Sequence, residues 1–263
     1  MKSRELIISL IVLLLILIVG LIAFLVFALN GNFKFKNWGT KKRETVIFDE
    51  SYDFAEIEKM EILSSAGDIK FIESMDDKIR VVVYGENAED LTVDLKEHEL
   101  RVDSSKYKHK KIFFGFDFHL NDIIVYIPKN YEKEIDINAK YGDIEMLDLE
   151  NATVRIEEDC GDVSLGKVKN AFVSNHYGDI EIAEIGNKVE IQSDCGDVKI
   201  DAINIMENSL VENNLGDIKI GKTNEIYIDA KTDLGDVKVN NNYRHSEITL
   251  KIENDCGDIK VEN

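Results

Sequence analysis

The sequence predicts an all-β protein: a single-stranded β-solenoid, preceded by one N-terminal transmembrane helix. Three observations indicate this. A Gly-Asp phrase recurs every 17–22 residues, apolar and polar residues alternate around each copy, and one long uncharged apolar run lies near the N-terminus. A period near 20 residues is typical of repeat proteins, whose units cannot bury their apolar faces alone. A β-propeller would need about 40 residues per blade, so the solenoid is favoured.

Each repeat reads as an apolar residue, then Gly-Asp, then Ile or Val. We interpret the unit as two short strands joined by a corner, where glycine supplies the positive φ that a bend needs. Residues 141–263 are predicted to form regular coils, and residues 46–140 irregular coils of the same solenoid. The predicted corner glycines are Gly67, Gly142, Gly161, Gly178, Gly196, Gly216, Gly235 and Gly257.

All three cysteines of the chain directly precede a corner glycine. We expect them to be buried free thiols, in the position that Tyr or Leu occupies in other copies. Cys160 and Cys195 would stack two repeats apart, at roughly 9–10 Å, which is too far for a disulfide or a shared metal ion. The three cysteines are Cys160, Cys195 and Cys256.

An aspartate follows each corner glycine, so stacking would place the carboxylates in a ladder. Clustered oxygen ligands suit Ca²⁺, and a calcium site between neighbouring coils is one hypothesis. The alternative is that each carboxylate accepts local backbone N–H bonds at its corner. No other cofactor is predicted. The ladder consists of Asp143, Asp162, Asp179, Asp197, Asp217, Asp236 and Asp258.

Residues 6–29 carry no charge and are long enough to cross a ~30 Å hydrocarbon core as a helix, with residues 1–5 as a short tail. A cleaved signal peptide is the alternative, although its apolar run is usually shorter. The basic juxtamembrane linker, residues 30–45, favours a cytoplasmic repeat domain by the positive-inside rule. The short tail is instead typical of a signal anchor, and we expect a single-pass protein of the bacterial cytoplasmic membrane with an extracytoplasmic repeat domain.

Outside the first 43 residues the chain is strongly acidic, because residues 44–263 hold 25 basic and 50 acidic side chains. Such a surface repels nucleic acid. One exception is a segment in which four lysines precede four phenylalanines. It could contact a membrane or a glycan, or it could cover the end of the solenoid. The phenylalanines of this possible interaction loop are Phe113, Phe114, Phe116 and Phe118.

The apolar N-terminal run, the stretch Ile124–Pro128 and the spaced Gly-Asp-Ile/Val phrases together resemble a bacterial family of β-strand-repeat proteins known as "putative adhesin". The similarity covers the chain from about Val46 onward. It implies a β-solenoid-like fold on a membrane anchor, in some members encoded with cell-envelope stress sensors. It implies no catalytic residues.

The sequence favours a non-catalytic surface module that is anchored to the membrane by its N-terminal helix and presents an acidic solenoid to an envelope protein or a glycan. Motifs such as Gly-x-Ser-x-Gly and His-Glu-x-x-His are absent. One alternative is a scaffold that assembles end to end through an exposed last coil near Asp255–Asn263. A polysaccharide-processing enzyme is disfavoured, because the even intervals leave no insertion that could build a cleft.

Overall fold

A computed structural model describes residues 45–85, 88–106 and 121–262. These residues confirm an all-β, solenoid-like fold: their strands belong to a single hydrogen-bonded sheet of 19 strands. Short 3-10 turns at Phe54–Glu56 and Ala88–Asp90 are the other regular elements. The predicted membrane helix and nearly all of the basic linker lie outside the described residues, within which no helix is long and apolar enough to span a membrane.

The regular part of the solenoid is built from rungs, each consisting of a strand segment before a Gly-Asp corner and a strand segment after it. The strands are β8 (Glu134–Tyr141), β9 (Ile144–Met146), β10 (Leu149–Cys160), β11 (Val163–Tyr177), β12 (Ile180–Cys195), β13 (Val198–Ile203), β14 (Ser209–Leu215), β15 (Ile218–Thr223), β16 (Tyr227–Leu234), β17 (Val237–Val239), β18 (Thr249–Cys256) and β19 (Ile259–Val261). Strands β11 and β12 run from one corner to the next and β10 runs most of that way, so each contributes to two successive rungs. Neighbouring rungs pair in parallel, and the register is regular on both sides of the corners, with a shift between Val168 and Asn170 where β11 pairs with β12.

The strands before the corners form one face of the solenoid, the strands after them form the other, and the core lies between. In β12, Ile180 and Ile182 are buried on one face, and Val189 and Ile191 are buried on the other. Alternate residues face outward, as a period-2 strand requires. Each fully buried Ile or Val side chain contributes about 1.5–3 kcal/mol of hydrophobic stabilisation, so the stacked branched residues hold neighbouring rungs together.

The N-terminal part adds two further rungs and a cap. Strands β6 and β7 form the outermost rung, and β2 and β3 lie between that rung and β8–β9. Antiparallel strands cover this end, because β5 pairs with β6 and β4 pairs with both β7 and β1. The strands are β1 (Thr45–Asp53), β2 (Lys59–Ser64), β3 (Ile69–Glu73), β4 (Lys78–Gly85), β5 (Thr92–Lys96), β6 (Glu99–Ser104) and β7 (Asp122–Ile127).

At the C-terminal end, the order of the rungs differs from the order of the sequence. Strand β18 lies between β14 and β16, and β19 lies between β15 and β17. In sequence order, the edge rung β16–β17 therefore comes before the rung β18–β19, which lies between it and β14–β15. The expectation that Asp255–Asn263 forms the exposed edge is wrong, because the strands of this last segment pair on both sides. The edge rung is β16–β17.

The corner glycines are required for two reasons. Gly196 has a φ of 142°, a backbone conformation that residues with a Cβ rarely adopt. A Cβ on Gly196 would also lie 2.1 Å from the carbonyl oxygen of Gly178 in the neighbouring rung. The φ angle of Gly161 does not require glycine, yet a Cβ added to Gly161 would lie 2.0 Å from the carbonyl oxygen of Gly142. The sequence predicted the first reason, and the structure adds the close approach of successive corners.

Candidate functional site

The aspartates of the Gly-Asp phrases bond from one rung to the next. The backbone N–H of Asp162 donates to Oδ1 of Asp143 at 3.0 Å, and the N–H of Asp197 donates to Oδ1 of Asp179 at 2.8 Å. The pattern continues through every phrase to the edge rung, where Asp236 donates to Asp258 at 2.9 Å. The carboxylates therefore accept backbone N–H bonds, as one of the two interpretations expected, but from the neighbouring rung rather than their own corner.

Two members of this ladder were missed from the sequence. The N–H of Asp143 donates to Oδ1 of Asp68 at 3.1 Å, and the N–H of Asp68 donates to Oδ1 of Asp122 at 3.0 Å. Asp122 follows Asn121 instead of a glycine, so the Gly-Asp phrase does not reveal it. Throughout 45–85, 88–106 and 121–262, no group of three or more His, Cys, Asp or Glu residues is arranged to hold a metal ion. Calcium binding by the ladder stays a prediction.

The cysteines are free, as expected, but the prediction that they are buried is wrong. Cys160, Cys195 and Cys256 are all exposed. The reason is that alternation breaks at the corner. The buried residue is the third before the glycine, as at Ser193, and both residues that follow it, Asp194 and Cys195, face solvent. The strand resumes its inward alternation only at Val198.

The residues directly before the corner glycines therefore form an exposed row, which we call the corner ridge. Its large members are more than half exposed, from 53% at Tyr141 to 70% at Leu234. Parallel pairing places each member beside the next. In stacking order, the corner ridge consists of Tyr141, Cys160, Tyr177, Cys195, Leu215, Cys256 and Leu234.

Carboxylates flank the corner ridge. On one side runs the aspartate ladder, two residues further along each rung. On the other side are exposed aspartates one residue before the ridge, and His176 lies between two of them, 3.6 Å from Asp159 and 3.7 Å from Asp194. The aspartates of this second flank are Asp159, Asp194, Asp233 and Asp255.

A lysine ladder lies beyond the aspartate ladder on the four rungs nearest the C-terminal end. Lys199 pairs in register with Lys219, which pairs with Lys260, which pairs with Lys238. Lys260 forms an ion pair with Glu262, and Lys199 lies 3.5 Å from Glu181. These lysines are two residues further from the corner ridge than the aspartates, so the carboxylates dominate the surroundings of the ridge.

Inside the corner, polar side chains donate hydrogen bonds to the carbonyl oxygens of the corner glycines. Nδ2 of Asn175 donates to the carbonyl oxygen of Gly161 at 3.0 Å, and Nδ2 of Asn213 donates to that of Gly196 at 3.0 Å. Asn254 and Thr232 repeat this contact in later rungs. The signal in the sequence is a polar residue three positions before the glycine, where an inward-facing strand position would otherwise be apolar.

Glu158 occupies the same inner position in the Gly161 rung. It is 1% exposed, its Oε1 accepts a long bond of 3.4 Å from the N–H of Cys160, and its Oε2 has no hydrogen-bond partner in the described part of the chain. Burial raises the pKa of Glu158 to about 7. This carboxyl is therefore a titratable group built into the solenoid wall.

Phe113, Phe114, Phe116 and Phe118 lie outside the described residues. The segment that holds them, the possible interaction loop, lies between β6 and β7 in the sequence.

Comparison with known proteins gives the chain a family. Three solved structures are similar: a "putative cell adhesion protein" from Clostridium sporogenes ATCC 15579 (15% identity, 82% of this chain and 98% of that chain covered, TM-score 0.39), a "putative adhesin" from Bacteroides fragilis NCTC 9343 (15%, 81% and 96%, 0.38) and a "putative adhesin" from Parabacteroides merdae ATCC 43184 (11%, 84% and 94%, 0.42). Among curated proteins, no sequence matches significantly. The family model described as Toastrack DUF4097 matches residues 57–263. The resemblance seen in the sequence is thereby confirmed, and the chain belongs to the Toastrack DUF4097 family.

Proposed function

We propose that the chain is a non-catalytic, membrane-anchored surface module that binds an envelope partner or another cell through its acidic solenoid. The observation that carries this proposal is the corner ridge, a continuous row of exposed apolar side chains on a single domain. Exposed contiguous apolar surface is typical of interaction sites. A ridge repeated rung by rung on a parallel sheet is also rigid, so it can meet a partner without reorganising.

Membrane anchoring is supported by residues 6–29, whose uncharged length suits a bilayer-spanning helix. In this proposal residues 1–5 stay in the cytoplasm, residues 30–45 lie against the membrane surface, and the solenoid is extracytoplasmic.

A binding role is favoured over catalysis by how the carboxyl groups are used. The ladder aspartates are hydrogen-bonded to the backbone of neighbouring rungs, which fits a structural role. Glu158, whose pKa is raised to about 7, is buried within the corner and does not reach solvent. Neither arrangement places a proton donor beside an open cleft, which acid–base catalysis on a polysaccharide would need.

Topology is the test of this proposal. The full chain with an epitope tag after Asn263 would be expressed in its host cell, and intact cells would be treated with protease. Loss of the tag from intact cells is expected. Survival of the tag in intact cells, combined with its loss after lysis, would place the solenoid in the cytoplasm and overturn the proposal.

A further inference from the structure

We propose that the corner ridge binds a cationic polypeptide segment in the polyproline II conformation, with every third side chain of that segment seated beside a cysteine. This inference rests on the proposed function, because it names the partner of the same surface. It follows from the shape, the repeat distance and the charge of the ridge.

The corner ridge alternates large and small side chains without exception. Tyr141, Tyr177, Leu215 and Leu234 protrude, and a cysteine stands between each successive pair. This alternation depends on the exchanged rungs. In sequence order the last two members would be Leu234 and Cys256, which would put two leucines side by side. The structure reverses them and completes the pattern. The ridge therefore carries three notches, floored by Cys160, Cys195 and Cys256.

The spacing of the notches selects the conformation of the partner. Strands in a sheet are about 4.8 Å apart, so notches on alternate rungs repeat every ~9.6 Å. A polyproline II helix rises about 3.1 Å per residue with three residues per turn, which brings one face back every ~9.3 Å. An α-helix repeats a face at seven residues, or ~10.5 Å, so it loses register by nearly 2 Å from the first notch to the third. A β-strand repeats a face every ~6.6 Å and fits poorly.

The negative charge beside the corner ridge indicates that the bound segment carries basic side chains. Aspartates line one flank of the corner ridge, among them Asp179 and Asp197. The other flank is mainly acidic, with aspartates at four of its seven positions and Lys140, His176 and Asn214 at the remaining three. A second copy of this chain would match the notch spacing, but it would bring a second aspartate ladder against the first, and like charges in contact repel. A segment with Lys or Arg on the faces beside its buried face pairs with these carboxylates instead.

The probe is a fluorescent peptide of four Pro-Pro-Arg repeats, titrated against the full chain in mild detergent and followed by anisotropy. A peptide of four Gly-Gly-Arg repeats has the same charge but no preferred polyproline II shape. We expect the proline peptide to bind about tenfold more tightly, because it is preorganised. We also expect it to slow alkylation of the ridge thiols, a measure that follows the site directly. Equal binding of the two peptides would mean charge attraction alone and would overturn the proposal.

Matched variants locate the site. Cys195→Leu fills the central notch and should weaken binding of the proline peptide about tenfold, since filling removes the seat of one side chain. Cys195→Ser keeps the notch open and should bind like the unchanged chain. Gln192→Leu changes an exposed side chain on the same strand, away from the ridge, and should also have no effect. Unchanged binding by Cys195→Leu would overturn the proposal, as would ridge-dependent dimers in sedimentation. Either outcome leaves the topology test of the proposed function untouched.

Discussion

The backbone N–H of Asp197 donates a hydrogen bond to Oδ1 of Asp179, its counterpart in the neighbouring rung, at 2.8 Å. The same bond joins Asp217 to Asp197, so each aspartate is an acceptor for one neighbour and a donor to the other. Each carboxylate of the stack thus accepts a hydrogen bond from a backbone N–H of the neighbouring rung. The positive end of that N–H dipole offsets the repulsion between successive negative charges.

Substitutions at Asp179 should separate the hydrogen bond from the charge. Asp179→Ala removes the acceptor of the Asp197 backbone N–H and should lower the free energy of unfolding by about 1–2 kcal/mol. Asp179→Asn keeps an acceptor oxygen and relieves repulsion between neighbouring carboxylates, so its effect should be within about 0.5 kcal/mol. Urea unfolding of both variants measures the difference. Equal losses would show that the negative charge, and not the bond, is what the ladder needs.

Glu158 should make the stability of the solenoid depend on pH. Burial raises its pKa to about 7 in the folded protein, from an ordinary value of 4.5, so the folded state holds the proton more tightly. The contribution of Glu158 to stability is then largest below pH 4.5 and is lost as the pH rises through 7, where the buried carboxyl loses its proton. Glu158→Gln should raise the free energy of unfolding at pH 8 by roughly 2 kcal/mol and have little effect at pH 4.5.

The control for this prediction is Glu150→Gln, which changes an exposed carboxyl and should leave the pH dependence as it is. Chemical unfolding at pH 4.5 and pH 8 gives both values for each variant. A Glu158→Gln protein with the same pH dependence as the unchanged chain would show that this carboxyl is ionised in the folded state without cost.

Glycine substitutions should distinguish corner positions from ordinary strand positions. Gly196→Ala places a Cβ 2.1 Å from the carbonyl oxygen of Gly178, at a φ of 142°, and should cost about 2–4 kcal/mol of stability. At Gly186 the nearest atom to a new Cβ is 3.7 Å away, so Gly186→Ala is the matched control and should be nearly neutral. Comparable thermal midpoints for the two variants would contradict the close approach of successive corners.

Hydrogen exchange should report the exchanged order of the C-terminal rungs. Strand β18 pairs on both sides, whereas β16 lies at the edge. Amides of Thr249–Cys256 should therefore exchange more slowly than those of Tyr227–Leu234, because interior strands open only with their neighbours. If the rungs stacked in sequence order, β16 would be better protected from exchange than β18. That result would contradict the alternation of large side chains and cysteines along the corner ridge.

The Gly-Asp phrase was enough to predict the corners, the parallel stack and the inward Ile and Val residues, because each follows from local geometry and period-2 alternation. The orientation of Cys195 was mispredicted, since two successive residues face outward at the bend and alternation cannot be carried across it. The rung order was equally hidden. Two repeats with nearly the same sequence offer nearly the same strand edges for pairing, as do Leu234-Gly235-Asp236-Val237 and Cys256-Gly257-Asp258-Ile259. The sequence alone therefore does not show which of the two rungs lies at the end of the solenoid.

The most direct test of an exposed, outward-displayed corner ridge is thiol labelling of intact cells that carry the full chain, using a maleimide that does not cross membranes. The structure and the proposed topology together predict rapid modification of Cys160, Cys195 and Cys256 without lysis, read out by mass spectrometry. Modification only after denaturation would contradict the structure, because the thiols would then be buried. Modification in lysed but not in intact cells would contradict display outside the membrane.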